Sequence, residues 1–328
     1  MTTQALERAR IGRTDVEVTR LGLGTAPLGG WPQALPREQA LATVERAWEL
    51  GIRLFDTAPL YGYGLAETLL GEALSQKPRD EFVLSTKVGR LLVPGHPEPE
   101  FFKDALPFEP VFDFSREGVE RSLRESYERL GLDRVDIALV HDPDDHHREA
   151  LAGAFPALLD ARADGRLRAI GAGMNRAEPL ARFAGEVELD CVLCAGRYTL
   201  FEQDSLDDLL PTAERRGVSI IGGGIYNGGL LVDPTPGATY DYSPARPDVL
   251  ARARRLQDTC DEFGVPLRAA ALQFPLAHPA VACVVVGARS PAEVEDNVRM
   301  LDTELPAGLW DALRERGLVR ADAPTPLR

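Results

Sequence analysis

Leu54-Phe55-Asp56-Thr57-Ala58-Pro59-Leu60-Tyr61-Gly62 is the stretch that decides how the chain folds. Together with Ile52, its first residues make a short apolar run of the kind that forms a buried strand. A carboxylate, Asp56, stands where the run stops, and Tyr61 follows on a loop bounded by Pro59 and Gly62. A carboxylate where a strand leaves the core is unfavourable unless it is paired or used. Two later apolar runs end in the same manner: Phe82-Val83-Leu84-Ser85-Thr86 in Lys87, and Val135-Asp136-Ile137-Ala138-Leu139-Val140 in His141. In a parallel α/β barrel such exits converge on one rim, where these barrels keep their active sites.

Working outward, the same alternation extends in both directions. Residues Arg10 to Val18, around the turn signal Arg13-Thr14-Asp15, read as a hairpin, and Arg20 to Thr25 as the first strand. A helix from Arg37 to Leu50 stops at Gly51. Further strands are expected at 52–56, 82–87, 135–140, 167–172, 190–195, 219–222 and 281–286, with helical patterns between them and a last helix from Pro291. Eight strand-then-helix units without a break in composition predict one (β/α)8 TIM-type barrel over residues 1–328, with an N-terminal hairpin and long rim loops. The segment 89–114 is rich in Pro and Phe and is read as irregular, either a substrate lid or a packed insertion.

Composition narrows the partners. Asp and Glu number 51 against 37 Lys and Arg, and the net charge of −14 argues against nucleic acid or an anionic membrane surface. No apolar run is long enough to span a bilayer, and the N-terminal region lacks the apolar core of a signal peptide, so a cytoplasmic location is expected. Four cysteines are too few for a disulfide framework. Cys191 and Cys194 lie three apart in one strand-like run, on opposite faces, and so cannot jointly hold a metal. His146 and His147 beside Asp142, Asp144 and Asp145 lack an established ligand spacing. No metal is expected.

The chemistry of the rim residues follows from their acid strengths. A free tyrosine loses its proton near pH ~10, but a nearby ammonium favours the phenolate, and a carboxylate would hold that ammonium in place. The set suits proton transfer on a hydroxyl or carbonyl oxygen coupled to movement of a hydride.

The motifs Asp56-Thr57-Ala58-x-x-Tyr61-Gly62, Ser85-Thr86-Lys87-Val88-Gly89 and His141-Asp142-Pro143-Asp144 resemble those of the aldo-keto reductases. Within them, the chain is similar to the NAD-linked aldose 1-dehydrogenases of the D-threo-aldose and L-fucose type. The resemblance runs from about Arg10 to about Leu305 and implies a catalytic set of Asp56, Tyr61, Lys87 and His141. It also implies that Asn175 holds the carboxamide of a nicotinamide cofactor and that Tyr198 stacks on its ring. Gly287-Ala288-Arg289-Ser290, with Asn297, matches the family's segment for the pyrophosphate and adenosine. Met174 and Ala195 stand where many members have serine and glutamine.

Neither Gly171-Ala172-Gly173 nor Gly222-Gly223-Gly224 continues into a full dinucleotide fingerprint, so the cofactor is expected from the barrel resemblance alone. Glu293 stands where NADP-using relatives commonly carry arginine. A carboxylate there would repel a 2′-phosphate and accept from a free 2′-hydroxyl, which favours NAD over NADP. Stabilising the first turn of its helix is an equally ordinary role for it. The resulting expectation is oxidation of a small sugar or aldehyde, an aldose at C1, by NAD. The alternatives are a pyridoxal dehydrogenase, an NADPH-dependent aldehyde reductase, and a cofactor-sensing regulatory subunit. The sequence does not address oligomeric state.

Overall fold

Alternation of apolar side chains along eight short strands gives the barrel its two faces. The computed structural model describes residues 7–96 and 101–326. A hairpin, β1 (Arg8–Arg10) and β2 (Glu17–Thr19), precedes β3 (Leu21–Gly24), α1 (Arg37–Glu49), β4 (Leu54–Asp56), α2 (Leu65–Leu74) and β5 (Val83–Val88). Next come β6 (Arg90–Pro94), β7 (Phe108–Phe112), α3 (Arg116–Leu130) and β8 (Ile137–His141). Two helical pieces, α4 (His147–Glu149) and α5 (Phe155–Ala163), flank a π-helical turn and lead to β9 (Ala169–Met174), α6 (Ala177–Glu186) and β10 (Cys191–Ala195). The chain continues through α7 (Leu209–Arg216), β11 (Ser219–Gly223), the short β12 (Thr239–Tyr240) and β13 (Ser243–Pro244), α8 (Pro247–Glu262) and α9 (Leu267–Gln273). It closes with β14 (Val281–Gly287), α10 (Pro291–Leu301) and α11 (Ala307–Glu315).

Strands β3, β4, β5, β8, β9, β10, β11 and β14 pair in parallel and close into a barrel, β14 returning to β3. Leu54, Val83, Ile137, Leu139, Cys191, Leu193, Cys283 and Val285 fill its interior. Ile11, Val16 and Val18 of the hairpin belong to the same cluster and plug the lower end. The intervening Phe55, Leu84, Ala138, Val140, Ile170, Val192 and Val284 pack outward under the helices. Each large apolar side chain taken fully from water contributes about 1.5–3 kcal/mol. These two layers, not the polar rim, therefore hold the barrel. Cys191 belongs to the inner cluster and Cys194 to the outer one, as strand alternation requires.

Close approaches set two glycines. Gly12, in the hairpin turn, has φ +53, and a Cβ there would lie 2.4 Å from the Asp190 carbonyl oxygen. At Gly29, in the loop after β3, a Cβ would lie 2.5 Å from the backbone carbon of Tyr61. The β3 loop can thus lie flat against the Tyr61 loop only without a side chain.

Two expectations are corrected. Segment 89–114 is not irregular at its two ends: β6 and β7 form an antiparallel ribbon in which Arg90 pairs with Phe112 and Leu92 with Pro110. Proline is tolerated in such a ribbon because a two-stranded sheet has free edges, where no N–H is needed. Prolines 97 and 99 lie outside the described residues. The helix from Pro291 is also not the last, since α11 follows it and buries Leu309, Trp310 and Leu313.

Candidate active site

Asp56 ends β4 and points into the barrel mouth, where only 3% of it is exposed. Its Oδ1 accepts from Ser85 Oγ at 2.8 Å and its Oδ2 from Lys87 Nζ at 2.7 Å. Ser85 and Lys87 are two apart on β5 and so share the inward face. The Lys87 ammonium also donates to the Thr57 carbonyl at 2.9 Å. Burial alone would lower the lysine's pKa, but Asp56 and Tyr61 more than offset it and hold the ammonium charged. An ion pair this deep is unfavourable to separate, because one partner would be left as an unpaired buried charge.

Tyr61 lies on the turn leading into α2, with its N–H bonded to the Ala58 carbonyl at 3.1 Å. Lys87 Nζ is 4.8 Å from the centre of its ring. The residue is half-buried and its phenol is enclosed. Burial pushes the phenol up to about 12, against the opposing pull of the Lys87 charge. Lysine proximity was expected to bring this value below that of a free tyrosine. Desolvation of the phenolate is the larger effect.

His141 ends β8 with 6% exposure. Its ring stands at 89° to that of Tyr61, with centroids 6.2 Å apart. Burial, reinforced by the charges of Lys87 and Arg90, holds the imidazole well below its usual pKa, so it is neutral near pH 7. Its Nδ1 is buried without a hydrogen-bond partner. Such orphaned groups are rare and point to a missing ligand or solvent atom. Asp142, next in sequence, has φ 47 and takes an ion pair from Arg90 at 2.6 Å.

Asp56, Tyr61, Lys87 and His141 are thus gathered at one end of the barrel. The opposite half of the mouth is bordered by small residues: Gly24, Ala195, Gly223 and Gly287 end their strands there, and Gly173 stands one before the end of β9. Cβ atoms added at Gly24 and Gly173 would meet nothing closer than 3.6 and 3.5 Å respectively. At Gly223 and Gly287 a Cβ would come within 3.1 Å of Leu193 and 2.8 Å of Pro27, so this side of the mouth presents backbone rather than side chains, which suits a flat ring and an anionic tail. Asn175, just past β9, is half-buried, and its carbonyl accepts from Arg197 Nε at 2.7 Å. Arg289 is half-buried beyond Gly287, with a buried Nε that has no partner.

Other expected cofactor residues are engaged within the protein. Glu293 Oε2 accepts from the Arg289 N–H at 2.8 Å, while Ser290 Oγ accepts from the Glu293 N–H at 3.2 Å. This reciprocal cap realises the helix-stabilising alternative for Glu293. Asn297 Oδ1 accepts from Tyr226 Oη at 2.9 Å. Tyr198 does not face the mouth. It is 2% exposed in the layer outside the barrel, its ring centroid 5.6 Å from Phe274 and 5.7 Å from His278. As it stands, the ring is covered and offers no face to a nicotinamide. Met174 also packs in that outer layer.

Three features escaped the sequence reading. Ser85 was within reach of it, since it lies two before Lys87 in a recognised motif. Glu67, fully buried, accepts from Thr86 Oγ1 at 2.7 Å and pairs with Arg129 at 2.6 Å, tying α2 to β5 and α3. An aromatic wall forms above Tyr61: Phe102 is 6.4 Å from Tyr61, Phe101 is 5.0 Å from Phe102, and Trp31 is 6.2 Å from Phe101. Phe101 and Phe102 belong to the Phe-rich segment already singled out in the sequence, and only their meeting with Trp31, from the loop after β3, carries no sequence signal. Among the described residues no cluster of His, Cys, Asp or Glu could hold a metal ion, and no helix is long and apolar enough to cross a membrane.

Residues 20–316 match the Aldo/keto reductase family. The chain belongs to that family. This aldo-keto reductase is an oxidoreductase, and its family uses nicotinamide cofactors. It is 42% identical to a pyridoxal 4-dehydrogenase from Microbacterium luteolum, across 97% of this chain and 100% of that one. It is also 42% identical to a D-threo-aldose 1-dehydrogenase from a Pseudomonas species, across 94% and 96%. Its fold matches the holo form of an aldo-keto reductase from Bacillus halodurans with a TM-score of 0.76, at 24% identity and covering 97% and 98% of the two chains.

Proposed function

We propose that this aldo-keto reductase oxidises an aldose at C1 to the lactone, with NAD as its cofactor and Asp56, Tyr61, Lys87 and His141 as its working residues. The observation that carries the reading is the Asp56–Lys87 pair lying beneath Tyr61, with neutral His141 at right angles to the phenol. Asn175, on the glycine-bordered side of the mouth, would hold the carboxamide of a nicotinamide, and that group would supply the hydride acceptor. Tyr61, as phenolate, takes the proton of the anomeric hydroxyl while the hydride leaves C1, which converts the hemiacetal carbon to the lactone carbonyl. Lys87 stabilises the phenolate in that step, and Asp56 holds Lys87 charged and in position. His141 directs a ring nitrogen at the reacting oxygen. Arg289 and the backbone beside Gly287 would hold the phosphates, and Asn297, whose Oδ1 is taken by Tyr226 Oη, would offer the adenosine its amide N–H.

A pyridoxal dehydrogenase is the second reading. Pyridoxal forms an internal hemiacetal that presents the same C–H and O–H pair, and the aromatic wall of Trp31, Phe101 and Phe102 suits its ring. The two relatives of equal identity support both substrates. A spectrophotometric screen of NAD and NADP reduction across aldoses, pyridoxal and simple alcohols tests the proposal. Reduction with L-fucose or a D-threo aldose is expected. Tight cofactor binding without turnover of any substrate would favour a regulatory role instead.

A further inference from the structure

The geometry points to Tyr242 as a specificity-determining wall of the substrate pocket, set in place by an Arg197–Asp241 clamp. The inference rests on the substrate site proposed above and names a residue of it that the sequence does not mark.

Strands β12 and β13 pair Tyr240 with Ser243, which leaves Asp241 and Tyr242 as a two-residue turn. Both have positive φ, 47 and 62. Such turns favour Asn-Gly or Asp-Gly, because a side chain at the second position is strained there. Asp241 fits that preference and Tyr242 does not. Strain of this kind persists where the surroundings over-determine it, and it gathers at functional sites.

What surrounds this turn is specific on both sides. Arg197 donates through Nε to the Asn175 carbonyl at 2.7 Å and pairs through its other end with Asp241 at 2.9 Å. The turn is therefore tied to the backbone of the residue expected to hold the carboxamide. On the other side, the Tyr242 ring stands 5.7 Å from Trp31, edge-on at 71°, and 5.3 Å from Phe101. The residue is still 57% exposed, so these contacts do not simply bury it in a core. Phe101 in turn packs on Phe102 at 5.0 Å, and Phe102 lies 6.4 Å from Tyr61. Trp31, Phe101 and Tyr242 come from three separate loops and make one aromatic wall, joined to the reacting tyrosine through Phe102. An aromatic wall recognises a cyclic substrate, a pyranose or a pyridine, through a contact area of C–H and π groups that a short open-chain aldehyde cannot cover.

The test compares wild type with Tyr242→Gly, Tyr242→Phe, Asp241→Gly and the Asp241→Gly/Tyr242→Gly double variant. Glycine suits both turn positions, so folding is expected to survive and Tm to hold or rise. Substrates are a cyclic aldose and pyridoxal with NAD, and 4-nitrobenzaldehyde and glyceraldehyde with NADH. Tyr242→Gly should raise KM for cyclic substrates about tenfold, the size of a lost aromatic contact, with little change for glyceraldehyde. Tyr242→Phe should keep the wild-type KM. Asp241→Gly should raise KM in the same direction, and the double variant should be no worse than Tyr242→Gly, because both changes remove one contact. Quenching of Trp31 fluorescence reads binding without turnover, since Trp48 and Trp310 pack elsewhere. Wild type that turns over nitrobenzaldehyde but neither aldose nor pyridoxal strikes the substrate reading alone. Equal effects on cyclic and open-chain substrates, additive effects in the double variant, or an unchanged KM and quench in Tyr242→Gly would overturn the assignment of the wall.

Discussion

The Lys87 ammonium lies 4.8 Å from the centre of the Tyr61 ring, yet burial still pushes the phenol up to about 12. Oxidation needs the phenolate, whose fraction grows as pH rises toward that value. The rate of oxidation should therefore climb through the alkaline range, while reduction, which uses the protonated phenol, should be flat near neutrality and fall only at high pH. Lys87→Met removes the one nearby charge that favours the phenolate, so the climb should move to higher pH. Profiles of kcat/KM against pH for both proteins decide this. Superimposable profiles would show that Lys87 does not tune Tyr61.

Tyr61→Phe keeps the ring and its contact with Phe102 while removing the proton carrier. A positioned acid or base contributes about 10²–10⁴ in rate, and kcat should fall by that factor. Cofactor Kd, measured by fluorescence titration, should change little. Near-normal kcat would remove Tyr61 from the chemistry.

Asp56→Leu would leave Lys87 buried without its counter-charge. Breaking a buried pair from one side costs about 3–5 kcal/mol, whereas replacing both partners by apolar groups is often neutral. Urea denaturation should show a large loss for Asp56→Leu and recovery of much of it in the Asp56→Leu/Lys87→Met double variant. Equal stability of the wild type and the single variant would mean that water or a shifted proton relieves the charge.

Glu293 accepts from the Arg289 N–H, a role that glutamine can fill through its amide oxygen. Glu293→Gln therefore removes charge while keeping the cap, and stability should change by no more than about 0.5 kcal/mol. The ratio of kcat/KM for NADP over NAD should rise, because a repulsive charge near the 2′-phosphate is gone. A wild type that already prefers NADP would falsify the assignment of NAD.

The fold was legible because strand alternation and strand-exit chemistry are local. Asp56, Lys87 and His141 each end an apolar run, and the parallel barrel allows such ends only one rim. That is why four residues, from positions 56 to 141, come together as expected from the chain alone. The ribbon of β6 and β7 was hidden because prolines at ribbon edges look the same in sequence as prolines in a loop. Tyr198 was misplaced for a related reason. A residue three past a strand end can turn into the mouth or back over the outer wall, and only the packing of Phe274 and His278 decides which. The sequence could name the groups near Tyr61 but not which effect wins, since the phenol's pKa depends on how completely the surrounding loops exclude water. Tertiary structure alone brings Trp31, Phe101 and Tyr242 together, because long-range contacts between loops leave no periodic trace in the chain.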